Sequence, residues 1–197
     1  EITIQMRLAA CLRGQKKFKE ALKKLVEILD RKAGNLGAQI QAAETLYDAG
    51  SLECDNYVKS FLGDEKNEET DRNIIWGWKK IAQQTASKVE LEKYFYTAKL
   101  YGVRARRKYA ECILEQSPKR ANRLFAAAEG NLLQIYGEYP NLGGPDFVPE
   151  FEAEMRLVQQ ALGKDQVGFP AVETEAVETE ADETATVPDP KEAALAR

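Results

Sequence analysis

Cations crowd one stretch of the chain. Arg104, Arg106, Arg107 and Lys108 are followed by Lys119, Arg120 and Arg123. Guanidinium forks and ammonium groups at this density accept phosphates or carboxylates. Arg104, Arg107, Lys108 and Arg120 are therefore candidate partner-binding residues, with an acidic peptide or a nucleic acid as the ligand. The competing reading is a solvated face balanced by Glu111 and Glu115. A second group, Asp64, Glu65, Glu68, Glu69 and Asp71, lacks the alternating oxygen ligands and central glycine of a calcium loop. Glu150 and Glu154 lie four apart on a charged helix face and read as solvated carboxylates rather than an acid and base pair. The chain has no histidine, which removes Ser-His-Asp and Cys-His catalysis and the histidine-ligated metals. Phosphate-binding glycine loops, nucleophile elbows and zinc-protease motifs are absent as well. The expectation is a noncatalytic protein with no metal and no cofactor.

Aromatic residues offer the other candidate chemistry. Trp76, Trp78, Tyr94, Phe95, Tyr96 and Tyr101 concentrate in one helix pair. Trp78 and Tyr101 read as core. Trp76 and Tyr96 fall off the principal apolar stripes and read as surface anchors for a bound peptide. Cys11, Cys54 and Cys112 are odd in number and widely spaced, which suggests three buried free thiols and leans towards a reducing compartment.

Helices must position these groups. Ala, Leu, Glu, Lys, Gln and Arg dominate, apolar residues recur at three and four, and no segment alternates like a strand. In the second segment Phe18, Ala21, Leu22, Leu25, Ile28 and Leu29 form one stripe, and Lys16, Lys19, Glu20, Lys23, Lys24 and Glu27 cover the rest. Gly14 and Gly50 mark turns, and Gly34 and Gly37 bracket a third. Ser87-Lys88-Val89-Glu90 has capping-box spacing, Ser117-Pro118 is a start signal, and 139–145 must be a loop. These signals predict nine helices, over 2–13, 16–31, 36–48, 52–62, 71–85, 88–101, 103–116, 118–138 and 147–162.

The helices repeat. A shift of 34 residues superposes Leu8, Ala9, Leu12 and Phe18 on Ala42, Ala43, Leu46 and Leu52. A further shift of 39 brings Gln39, Ala42, Ala43 and Leu52 onto Trp78, Ile81, Ala82 and Leu91, with the acidic stretch 63–70 as an insertion. Leu8-Ala9, Leu12, Phe18, Ala21, Leu25, Ile28 and Ala33 in the first unit, with Ala42-Ala43, Leu46 and Gly50 in the second, resemble the tetratricopeptide repeat (TPR) family. Asp55 and Tyr94 replace the second-helix alanine, and the closing proline is missing. The resemblance implies an all-α, right-handed α-solenoid of degenerate antiparallel helix pairs over 1–102, continued by a helical cap over 103–163. It also implies a partner groove whose second unit is lined by Gln41, Glu44, Tyr47 and Asp48. Met6, Ala10, Gln41 and Glu44 stand where carboxylate-gripping members of that family present Lys, Arg and Asn, so such a clamp is not expected.

After Gly163 the composition changes. Ala171-Val172-Glu173-Thr174-Glu175 repeats as Ala176-Val177-Glu178-Thr179-Glu180. Residues 164–197 carry net −6, which leaves +2 on 1–163 out of a total of −4. Such a Thr/Glu/Ala/Pro tail buries too little apolar surface to offset chain entropy and is expected to be disordered. No window is long and apolar enough to cross a membrane, and Glu1 lacks both a Met and a signal-peptide pattern, suggesting a fragment of a longer protein. The expected function is a noncatalytic protein–protein interaction or scaffold module. The alternatives are a nucleic-acid-binding helical repeat using 104–123 and a structural subunit of a larger assembly.

Overall fold

The computed structural model describes residues 1–66 and 73–170. Among these residues the chain forms α1 (Ile2–Gly14), α2 (Phe18–Arg31), α3 (Leu36–Ala49), α4 (Asp55–Leu62), β1 (Asp64–Lys66), β2 (Asn73–Ile75), α5 (Gly77–Thr85), α6 (Glu92–Ile113), α7 (Pro118–Glu138) and α8 (Val148–Ala161). The all-α expectation holds in outline. Residues 67–70 of the acidic insertion and the repeated Ala-Val-Glu-Thr-Glu tail lie outside the described residues.

Helix α2 shows why these sequences fold as they do. Its stripe places Ala21, Leu25, Ile28 and Leu29 at no more than 1% exposure, each large aliphatic contributing about 1.5–3 kcal/mol. Residues Ala9 of α1 and Ala38, Ala42 and Leu46 of α3 complete that cluster. The alanines bring the helices close together. A second core, built on Trp78, Ile81, Phe95, Leu132, Phe151 and Met155, joins α5 to α8. Packing proceeds along the chain: α1 touches α2 and α3, α3 touches α4 and α5, α4 touches α5 and α6, and α6 touches α7 and α8.

Four expectations are corrected. The helices predicted over 88–101 and 103–116 are one helix, α6, running through Gly102. Gly102 marks a close approach rather than a turn: a Cβ there would sit 3.3 Å from the Phe61 ring. The capping-box residues Ser87 to Glu90 lead into a short 3-10 turn, Val89–Leu91, ahead of α6. The predicted helix 71–85 begins only at Gly77, because Asn73–Ile75 pairs antiparallel with Asp64–Lys66, Asp64 opposite Ile75. Gly63 (φ +100°) and Gly77 (φ +67°) close this hairpin, and a Cβ on Gly77 would meet the Gly63 nitrogen at 2.4 Å. The fully buried Gln39 holds it from α3, donating through Nε2 to the Ile74 and Ala33 carbonyls (2.9 Å each) and accepting from the Trp76 amide (2.8 Å).

The cysteines are the fourth correction. Cys54 and Cys112 form a disulfide, with Cα atoms 6.1 Å apart, that joins the start of α4 to the end of α6. Cys11 is free and exposed. No pairing signal was present in the spacing, because the two partners are 58 residues apart and meet only through packing of α4 on α6.

Ordered packing continues past Gly163. Gln159 exchanges two hydrogen bonds with the Gly168 backbone, at 2.9 and 3.0 Å, and Phe169 stacks on Tyr136 at 4.7 Å.

Candidate functional site

The predicted binding residues divide into those already engaged inside the fold and those left at the surface. Arg13 of α1 hydrogen-bonds Glu44 and lies 3.3 Å from Asp48, so both carboxylates serve to join α1 to α3. Burial raises the Asp48 pKa, with the Arg13 charge acting the other way. Tyr47 packs edge-on to Tyr57 (5.5 Å) and Tyr101 (5.2 Å). Burial, helped by the negative charge of Glu154, pushes its phenol up to about 12. Gln41 is half-buried, and its carbonyl backbone accepts the Thr45 hydroxyl at 2.6 Å. Of these residues, Glu44 and Asp48 are therefore engaged with Arg13, and Tyr47 with Tyr57 and Tyr101.

Of the two aromatic anchors, Trp76 is half-buried with the Lys80 ammonium 5.0 Å over its ring. Tyr96 is 4% exposed and is core, not surface. It packs edge-on to Phe95 and Tyr139, and the loop after α7 comes so close that a Cβ on Gly143 would lie 2.5 Å from its ring.

Three of the cluster's seven cations are neutralised by α8 and by their own helix. Arg107 is 6% exposed and forms a forked pair with the buried Glu154, at 2.6 and 3.0 Å, and also bonds Glu111. Burial alone would lower its pKa, but the hydrogen bonds and charges of Glu154 and Glu111 outweigh that and hold it above the ordinary value. Arg104 pairs with Glu150 and lies 3.6 Å from Glu154, and Lys108 bonds Glu111 at 3.0 Å. The readings of Arg107 as a partner-binding residue and of Glu154 as a solvated carboxylate are thus overturned, since α8 folds back to bury them against each other. Arg120 remains exposed, its guanidinium 5.5 Å over the Tyr109 ring.

The clearest open surface is elsewhere. A groove of about 770 Å³ runs between α2 and the α3–α4 corner. Its floor is apolar, formed by Phe18, Leu22, Val26, Leu46, Ala49 and Leu52. Leu52 is 73% exposed, although it aligns with the buried Phe18 of the first repeat unit. The rim carries Lys16, Lys17, Lys19, Lys23 and Lys59 against Glu20, Glu53 and Asp64, and the Lys59 ammonium is 3.2 Å from Asp64. Among the described lining residues the local balance is therefore positive.

Sequence reasoning missed this groove because the lysines read as the solvated back of α2. Leu52 in particular read as the start of the helix over 52–62, whereas α4 begins at Asp55 and leaves it outside the helix. Among the described residues, no group of three or more Cys, Asp or Glu side chains is placed to hold a metal ion. Among them, too, no helix is long and apolar enough to cross a membrane. No family model, curated protein or solved structure matches this chain.

Proposed function

We propose that this protein is a noncatalytic interaction module, a short α-solenoid of TPR-like helix pairs that takes up a segment of a partner protein. The stepwise contact of successive helices, with α1, α3, α4 and α6 also reaching the next but one, supports the solenoid reading. The observation that carries the function is the α2–α4 groove, whose apolar floor and lysine rim suit an amphipathic helix with acidic flanks. Leu22, Val26 and Leu52 supply the anchoring pockets, and the rim lysines favour acidic flanks and speed encounter.

The nucleic-acid reading is weaker. Arg104, Arg107 and Lys108, three of the seven cations of that cluster, are paired with Glu150, Glu154 and Glu111, which reduces the counterions it could release. Fluorescence anisotropy with a labelled amphipathic peptide, leucines at i, i+3, i+4 and i+7 and glutamates at both ends, tests the proposal. Binding at about 1–100 µM, weakened at least tenfold in Leu52→Asp, is expected. Equal affinity of the variant, or tighter binding of a DNA duplex than of the peptide, would count against it.

A further inference from the structure

A second concavity lies on the other side of α4, independent of the groove. A cavity of about 290 Å³ opens between α5, α6 and α7. Its walls are Phe61, Trp78, Phe95, Val103, Ile135 and Tyr139, so most of the lining is aromatic or aliphatic. The charged lining is of one sign: Lys79, Lys99 and Arg106 are cations, Gln83, Asn131 and Gln134 are amides, and among the described lining residues there is no carboxylate.

Arg106 is the unusual member. Its guanidinium is half-buried, lies 5.1 Å over the Phe61 ring, and donates to the Asn131 side chain and, at 3.4 Å, to the Ala127 carbonyl. Among the described residues it has no carboxylate partner, in contrast to Arg104 and Arg107 on the same helix. Burial lowers its pKa, and no opposite charge offsets that cost. Lys99 is likewise held over rings, 5.3 Å from Phe95 and 5.8 Å from Tyr139. A guanidinium and an ammonium facing an apolar cavity without a counter-charge are what an incoming anion would neutralise.

We propose that this cavity binds a small amphipathic carboxylate. The apolar body would rest against Phe95, Val103 and Ile135, and the carboxylate would meet Arg106, with the Lys99 charge adding to the positive field. The size limits the ligand to something like one aromatic ring with a short chain, because pockets for larger ligands start at about this volume. Neither the groove peptide nor a nucleic acid fits that description.

Isothermal titration of the whole chain with 4-phenylbutyrate, and with 4-phenylbutanamide as the uncharged twin, tests the proposal. One-to-one saturable binding of the acid is expected, with the amide at least about tenfold weaker. Arg106→Gln keeps a donor for Asn131 while removing the charge, and should weaken the acid at least about tenfold without changing the amide. Ala86→Phe, at an exposed lining position, should abolish binding of both by filling the mouth. Lys99→Gln gives a second charge variant should Arg106→Gln fail to show a native circular dichroism spectrum. Equal affinity for acid and amide, no saturable binding by about 5 mM, or affinity unchanged in both Ala86→Phe and a folded charge variant would overturn the assignment.

Discussion

Arg107 and Glu154 illustrate how a side chain's role depends on a partner far along the chain. The two are 47 residues apart, and both are almost completely buried. Spacing within α6 could only reveal Glu111, the i+4 neighbour, so the pair read as surface. Removing Glu154 leaves the buried Arg107 with only the more exposed Glu111 as counter-charge, and Glu154→Gln should destabilise the fold by up to about 3–5 kcal/mol. The double variant Arg107→Met with Glu154→Met should recover much of that loss, as urea titration of all three proteins would show. Tyr47 makes a pH prediction. Its folded pKa is raised from 10.0 to about 12, so its neutral form is the one the fold favours. The associated stability is complete below pH 10 and disappears as pH rises through about 12, by at most about 2–3 kcal/mol. Tyr47→Phe should flatten the fall in melting temperature between pH 9 and 12. Tyr57 and Tyr96, also raised by burial, will leave a smaller residual slope.

At the scale of elements, periodicity was a reliable guide wherever a helix buries one stripe, and α2 and α3 lie almost where their patterns put them. The failures have a common cause in tertiary contact. The β1–β2 hairpin is too short to show alternation, and its backbone groups are satisfied partly by Gln39, a side chain on α3. Gly102 looked like a helix break because glycine usually serves turns, yet its role in α6 is to admit the Phe61 ring. Gly77 has the other use of glycine, since φ of +67° and the nearby Gly63 nitrogen both exclude a side chain. Gly77→Ala should cost more than about 1–2 kcal/mol, whereas Gly130→Ala, on α7 with open space around it, should stabilise by about 0.4–1 kcal/mol. Thermal melts of the two variants would compare them directly. The disulfide between α4 and α6 closes a loop of 58 residues, and its reduction should lower stability by about 2–4 kcal/mol. Unfolding with and without a phosphine reductant, repeated in Cys11→Ser, separates the bridge from the free thiol.

For the whole molecule, the division of charge was legible in the sequence, a mildly basic body of +2 before a −6 tail. The placement of that basic charge was not. The 104–108 cluster looked like the binding patch, but α8 supplies it with carboxylates, and the lysines of α2 instead rim an apolar groove. A hydrophobic floor provides affinity, and a charged rim provides rate and salt dependence. Peptide binding to the groove should therefore weaken only a few-fold between 50 and 500 mM salt, a fall much smaller than the steep loss of a phosphate-binding protein. Hydrogen–deuterium exchange of the full chain, with and without the acidic amphipathic peptide, tests the central claim most directly. Slower exchange confined to Phe18–Val26 of α2 and the Leu46–Lys59 stretch of the α3–α4 corner is the predicted result. Protection centred on α6 and α7, or none at peptide concentrations that saturate the anisotropy signal, would contradict it.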